Sequence, residues 1–383
     1  MDRAAVGGQA DGVTTTVLEA PPVPPSPDHP DVWAYAGYNR LTRDLEVELL
    51  GHSDRWAPLP ISLAFLTDSD WQRSILLVAV RDGVAEPGAD DVVGAAEVRI
   101  PLRDNLRTGH VFVVVDERVR GAGIGTALLE RAEAWLRAQG RDHVIGWSTV
   151  APEPEPGPGT LEAPTGAGRV PSDDPTVAFL LGRGYRLEQV ARASQLDVPR
   201  DADEPRRHAA LAAAAAGADY RVLHLDAAAA QDHLDALARL HTRMSTDVPL
   251  ADLRVEEEVW DAERVAEYVA DYERSWQEMR LAVVEHVPTG ELVAYTELQI
   301  PAFPEIEFGF QRDTLVLREH RGHRLGMLAK AANLELLVRE RPCVRRIHTQ
   351  NASENEHMLA INVALGFRTV AVQAGWQKGL GAV

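Results

Sequence analysis

The 383-residue chain has a single cysteine, Cys343. An intramolecular disulfide is therefore excluded, and so is a cysteine-based metal site; so thiol-poor a chain suits a reducing compartment. Positive charge is also scarce. Against 58 Asp and Glu there are 39 Lys and Arg, for a net charge of -19. That speaks against a nucleic-acid partner, which needs a basic face, and leans weakly towards cationic small molecules. No apolar run approaches membrane-spanning length, and the opening MDRAAVGGQADGV lacks the basic-then-apolar pattern of a signal peptide. The expected location is the cytoplasm, with no membrane partner. Gly-x-Ser-x-Gly, His-Glu-x-x-His and Walker sequences are missing, and His357 has no second ligand four residues away, so no metal is expected.

The length itself exceeds one ordinary core, so two domains are expected. The stretch VRGAGIG (119–125) stands out. It places Gly121, Gly123 and Gly125 between HVFVVV (110–115), which reads as a buried strand, and TALLERAEAWLRAQG (126–140). The latter is an amphipathic helix with Leu128, Leu129, Ala132, Trp135 and Leu136 on one face. A glycine-rich turn from strand to helix leaves backbone N–H groups at the positive end of a helix dipole, which suits phosphate. A tight turn without a ligand accounts for it equally.

Four blocks recur in order. VVGAAEVRIPLRDN (92–105) matches LVAYTELQIPAFPE (292–305), with Glu97 against Glu297. VVVDERVRGAGIGTALLERA (113–132) matches TLVLREHRGHRLGMLAKAAN (314–333). HVIGWS (143–148) matches RIHTQN (346–351), and AFLLGRGYR (178–186) matches AINVALGFR (360–368). This order implies a duplicated domain. The expected layout is a loose arm over 1–30 with one short strand, a first copy over 31–200, a linker over 201–219 and a second copy over 220–383. Residues 151–175, present only in the first copy and rich in Pro and Gly, read as a surface loop able to remain disordered. The alanine-rich linker reads as a short connecting helix outside the core. Strands and helices intermix in each copy, so the fold class is α/β: two twisted mixed sheets with helices on both faces.

Arg120-Gly121-Ala122-Gly123-Ile124-Gly125, following a strand, resembles the acetyl-CoA pyrophosphate loop of the GCN5-related N-acetyltransferases (GNAT superfamily). NASENEHMLAINVALGF (351–367) resembles the segment that ends that fold. The likeness covers both halves, so the chain resembles a tandem acetyltransferase, an arrangement also found in mycothiol synthase. The resemblance implies acetyl-CoA as co-substrate and a small-molecule primary amine as acceptor, in a monomer or homodimer. It also implies that loop amides of residues 120–126, Thr126 included, hold pyrophosphate, with Arg321, Gly322, Arg324 and Gly326 doing so in the second copy. Backbone groups of Val113 and Val115, or Thr314 and Val316, would pair with pantetheine. Arg324 stands where the first glycine of that motif belongs, and Asp173 stands where the second copy has Asn355. The tyrosine often found four residues before the Gly of the last block is Leu180 in one copy and Asn362 in the other.

Transfer to an amine needs a base to take the amine's proton. By position in this fold Glu297 is the candidate, with Glu97 as its counterpart and Asp313 and Glu319 behind them. Glu297 and Glu97 could each equally be the one polar residue on the solvent face of an alternating strand. His348, on the next strand, is a candidate helper or a structural histidine. Asn351 and Asn355 are cofactor-arm contacts or helix caps. A coenzyme-binding module without catalysis and a scaffold role both remain open at this level.

Overall fold

The structure, a computed structural model, describes residues 14–247 and 249–381. The first thirteen residues of the expected N-terminal arm lie outside them. The chain forms two compact units. One comprises residues up to Val190 together with Ala251–Val255 and Gln373–Val383; the other comprises Ala191–Leu250 and Glu256–Val372.

In the first unit the order is β1 (Thr15–Glu19), α1 (Trp33–Leu50), α2 (Leu59–Leu66), β2 (Gln72–Arg81), β3 (Val92–Pro101) and β4 (Thr108–Val115). There follow α3 (Ile124–Ala138), β5 (His143–Val150), the short strands β6 (Thr160–Glu162) and β7 (Arg169–Pro171), and α4 (Pro175–Leu181). Strand β8 (Arg186–Asp197) begins in this unit. Strands β1 to β4 are antiparallel neighbours. Helix α3 forms because Leu128, Leu129, Ala132 and Leu136 recur at helical spacing and all bury. Against the other side of the sheet, α1 packs Ala34, Tyr35, Tyr38 and Leu41 into a core with Leu76, Val78 and Ala95.

The second unit repeats the plan. After α5 (Asp203–Ala216) come β9 (Tyr220–Leu225), α6 (Ala227–Ala230), α7 (Leu234–Asp247), α8 (Ala262–Arg274), β10 (Gln277–His286), β11 (Glu291–Pro301) and β12 (Phe308–Val316). Then follow α9 (Leu325–Glu340), β13 (Arg346–Ala352), α10 (Glu356–Ala364) and β14 (Arg368–Gly379). The side chain of Asp261 caps α8 by accepting from Arg264 N, and Val265, Val269 and Tyr272 bury one stripe of it.

The sequence boundaries shift in two places. The first unit ends inside β8, at Val190 rather than 200, because the rest of that strand, from Ala191, belongs to the second unit. The closing strands are also exchanged: β14 neighbours β5, while β8 neighbours β13, with its residues Ala191–Asp197 paired to Ala352–Arg346. The segment from Gln373 thus completes the first unit. There Trp376 is fully buried and donates to Ser148 Oγ at 2.9 Å, and Lys378 Nζ lies 2.7 Å from Glu133 Oε1.

Two further expectations are corrected. Within residues 151–175 the stretch 160–171 is a β-hairpin, in which Thr160–Glu162 pair with Pro171–Arg169 and Ala163 and Val170 are buried. Val170→Asp should therefore cost about 2–4 kcal/mol, since it buries a charge without a partner. Urea unfolding measures it. The alanine-rich helix α5 is part of a core, because Ala212 and Ala216 pack with Leu325, Leu328 and Ala329 of α9. Alanine's small side chain lets two helices approach closely, which outweighs the polarity of the segment's acidic start.

Candidate active site

In each unit two parallel strands start together and then part. Strand β4 pairs with β5 only at Thr108↔His143, Gly109↔Val144 and His110↔Ile145. Strand β12 pairs with β13 only at Phe308↔Arg346, Gly309↔Ile347 and Phe310↔His348. Beyond those positions Val113 and Val115, or Thr314 and Val316, line an open wedge whose backbone can accept an added strand-like ligand. Each wedge leads into a left-handed turn and a helix N-terminus. Gly121 and Gly123 have φ of +84° and +83°, and a Cβ on either would meet nothing within 4 Å. Glycine is there for its backbone angle, with open space in front of it. In the second unit Gly322 has φ +89°, and Arg324 holds φ +57° despite its side chain. The glycine position is thus replaced without loss of the turn, at about 1–2 kcal/mol of strain.

The side chains of the two turns follow one pattern. Arg120 Nε donates to Val115 O at 3.1 Å and its guanidinium to Glu48; Arg321 Nε donates to Val316 O at 3.2 Å and its guanidinium to Asp247. Both arginines brace the turn; Gly121 and Gly123 are exposed, Ala122 and Gly125 half-buried and Ile124 buried. Thr126 accepts from Arg183, and Gly326 is buried against Ile361. The cap of α4 is Asp174, which accepts from Thr176 N and Val177 N, so Asp173 is not the equivalent of Asn355. Asn355 itself caps α10 by accepting from Met358 N at 3.2 Å. Asn351 Oδ1 accepts from buried Asn362 at 2.6 Å, so the residue in the tyrosine's place anchors β13 to α10.

The two glutamates differ. Glu97 is paired, with Arg99 Nε 2.7 Å from Oε1 and the Tyr38 hydroxyl donating to Oε2. Glu297 is fully buried rather than on a solvent face, and burial raises its pKa. Its Oε1 accepts from the hydroxyls of Tyr268, at 2.6 Å, and Tyr272, while Oε2 has no hydrogen-bond partner. The residue matching Arg99 is Gln299. Tyr272 is buried, and Tyr268 is half-buried. The adjoining His241 stacks on Trp260 at 4.7 Å, and burial lowers its pKa to about 4, so it is neutral.

A β-bulge separates the units further. Register runs unbroken from Gly94↔Val115 to Arg99↔His110 in the first. In the second, Thr296 faces Thr314 but Leu298 faces Gln311, so Arg312 and Asp313 both stand opposite Glu297. Both are solvent-accessible at the start of the wedge. The matched blocks show one extra residue between them but not its place, so Arg312 was missed. The two tyrosines were also missed: only the i, i+4 repeat of Tyr268 and Tyr272 on one helical face hinted at them. His348 is buried at the last paired position, ring against Phe308 and Phe310, ahead of the wedge rather than in it. Glu319 lies on an exposed turn away from Glu297.

A sheet that splays beside a strand, a left-handed turn and a helix is the GNAT acetyltransferase fold, built here twice. Residues 41–156 match the model of the acetyltransferase (GNAT) family, and the fold of the whole chain is that of tandem GNAT proteins. A tandem GNAT protein from the clavulanic acid biosynthesis pathway is similar in structure, at TM-score 0.70 and 22% identity over 96% of this chain and 99% of that one. A GCN5-related N-acetyltransferase from Sphaerobacter thermophilus follows at TM-score 0.58 and 14% identity, over 96% of this chain and 97% of that one. A glucosamine N-acetyltransferase region of a fungal multi-domain β-N-acetylglucosaminidase also has TM-score 0.58, with 16% identity over 95% of this chain and 38% of that one. No curated protein matches in sequence. The fold is that of acyl-CoA-dependent N-acetyltransferases in general. Among the described residues no helix is long and apolar enough to cross a membrane, and no group of three or more His, Cys, Asp or Glu is placed to hold a metal ion.

Proposed function

We propose that the protein is an acetyl-CoA-dependent N-acetyltransferase that modifies a primary amine of a small molecule, with the second unit as the reacting one. The observation that carries this reading is the buried Glu297 held by Tyr268 and Tyr272 beside an open strand wedge. Acetyl-CoA fits the wedge and turn on two grounds: backbone groups left unpaired beyond Phe310↔His348, and open space before the turn glycines. Bound there, it supplies an acyl group activated as a thioester.

The chain's own part is proton handling. Glu297 is sealed from solvent, so an amine cannot reach it, whereas Tyr268 is only half-buried and donates to it. The amine's proton passes to the Tyr268 oxygen as the Tyr268 hydroxyl proton passes to Glu297. A carboxylate with a raised pKa accepts that proton more readily than an ordinary one. In the first unit Arg99 neutralises Glu97, which favours a coenzyme-holding role without chemistry there. The test is release of free thiol from acetyl-CoA with a panel of polyamines, aminoglycosides, amino acids and small thiol precursors. Binding of acetyl-CoA with no thiol released on any amine would leave only the silent coenzyme-binding reading.

The first unit's turn is tested separately. Gly123→Asp keeps a residue type that tolerates a left-handed backbone but sets a carboxylate against phosphate. The expected loss of binding at that turn is about 3 kcal/mol or more. Titration calorimetry should show one class of acetyl-CoA sites weakened beyond detection; unchanged affinity and stoichiometry would separate the turn from the coenzyme.

A further inference from the structure

We propose that the acceptor carries a carboxylate close to its reacting amine, as an α-amino acid or a similarly compact amino carboxylate does, and that Arg312 recognises that carboxylate. The inference rests on the acetyl-transfer reading of the second unit and names its substrate class.

The bulge is the starting point. Strand β12 uses nine residues where β4 uses eight. In the first unit the residue facing Glu97 is Phe112, and the nearby cation Arg99 is spent on Glu97 itself. In the second unit the extra residue puts Arg312 and Asp313 together opposite Glu297. The Arg312 guanidinium makes no ion pair or side-chain hydrogen bond among the described residues, although it lies within electrostatic reach of Tyr268, Tyr272, Asp313 and Glu297. A cation without a partner at the mouth of a proton-accepting site is oriented for a ligand.

The charge balance says which ligand. Glu297 and Asp313 stand opposite each other across the bulge, and the always-ionised guanidinium of Arg312 is the one fixed positive charge beside them among the described residues. A planar guanidinium binds a carboxylate in bidentate fashion. A doubly charged phosphate would meet two carboxyl groups nearby, so a single negative charge fits better. An ammonium on the same ligand then lies towards Asp313 and the Tyr268 hydroxyl. Facing residues of paired strands are about 5 Å apart, so the two charges must be separated by only a few bonds.

The experiment compares matched acceptors in the thiol-release assay with the full chain. Each proteinogenic amino acid is paired with its decarboxylated amine, for example lysine with cadaverine and tyrosine with tyramine, and phosphoethanolamine is added as a phosphate arm. The expected result is at least tenfold higher kcat/KM for a carboxylate-bearing member. Arg312→Gln should raise its KM at least tenfold with most of the effect in KM, and Arg312→Lys should recover part of it. Arg312 is exposed, so neither variant threatens the fold, and far-ultraviolet circular dichroism checks this. Equal rates on the decarboxylated amines, preference for the phosphate arm, or an equal effect of Arg312→Gln on both members overturns the inference while acetyl transfer stands. Absence of thiol release on every amine overturns both.

Discussion

Glu297→Gln should lower kcat by about a hundredfold or more while leaving acetyl-CoA affinity unchanged. The substitution is nearly isosteric and keeps an oxygen for Tyr268 and Tyr272 to donate to, so the fold should survive. What it removes is the basic oxygen at the end of the proposed proton path. Glu97→Gln should do little, because Arg99 already occupies Glu97. Steady-state rates of the two variants on one acceptor amine decide the roles of the units; a crippled Glu97→Gln would reverse them. The pH profile gives a second reading. Because burial raises the Glu297 pKa, the acidic limb of kcat should lie above the ordinary carboxylate range. Activity should rise with pH through it, and Glu297→Gln should flatten that limb. Tyr268→Phe removes the accessible link and should imitate Glu297→Gln in kcat.

The largest expected effect on stability is at Trp376. Trp376→Ala empties a fully buried site and strips Ser148 of its donor, for about 3–5 kcal/mol. Around it Lys378, Arg137 and Tyr185 converge on the buried Glu133 carboxylate, so the loss should spread through the first unit. Urea unfolding followed by tryptophan fluorescence should show one transition moved to lower denaturant. Two unmoved transitions would mean that the strand is peripheral to the first core.

Much of the fold was legible in the residues. Strand β4, the turn and α3 follow from apolar periodicity broken by three glycines, and the fourfold block repeat follows from duplication. The exchanged strands were not legible. AFLLGRGYR and AINVALGFR are alike, so either copy's last strand can sit beside either fifth strand, and no local pattern selects the partner. Residues 151–175 misled because Pro and Gly suit hairpin turns as well as disorder; two buried side chains, Ala163 and Val170, decide the matter. At the site, the position of Glu297 was readable, but its complete burial depends on α8 lying over it. The extra residue shows in the block matches only as an offset that grows from 200 to 201 between residues 105 and 113, which does not say that it forms a bulge opposite Glu297.

The placement of Gln373–Gly379 also governs the order of events during synthesis. A ribosome makes residues 14–190 before the second unit, yet the strand that seals β5 is translated only after it. Until it arrives, the nascent first unit presents an open strand edge and an unfilled space for Trp376, the kind of surface that invites wrong pairing. The second unit meets no such delay, since β8 is already made when its own strands emerge. The half translated first is therefore the half completed last, and cutting the chain between its repeats would leave a first fragment without its final strand.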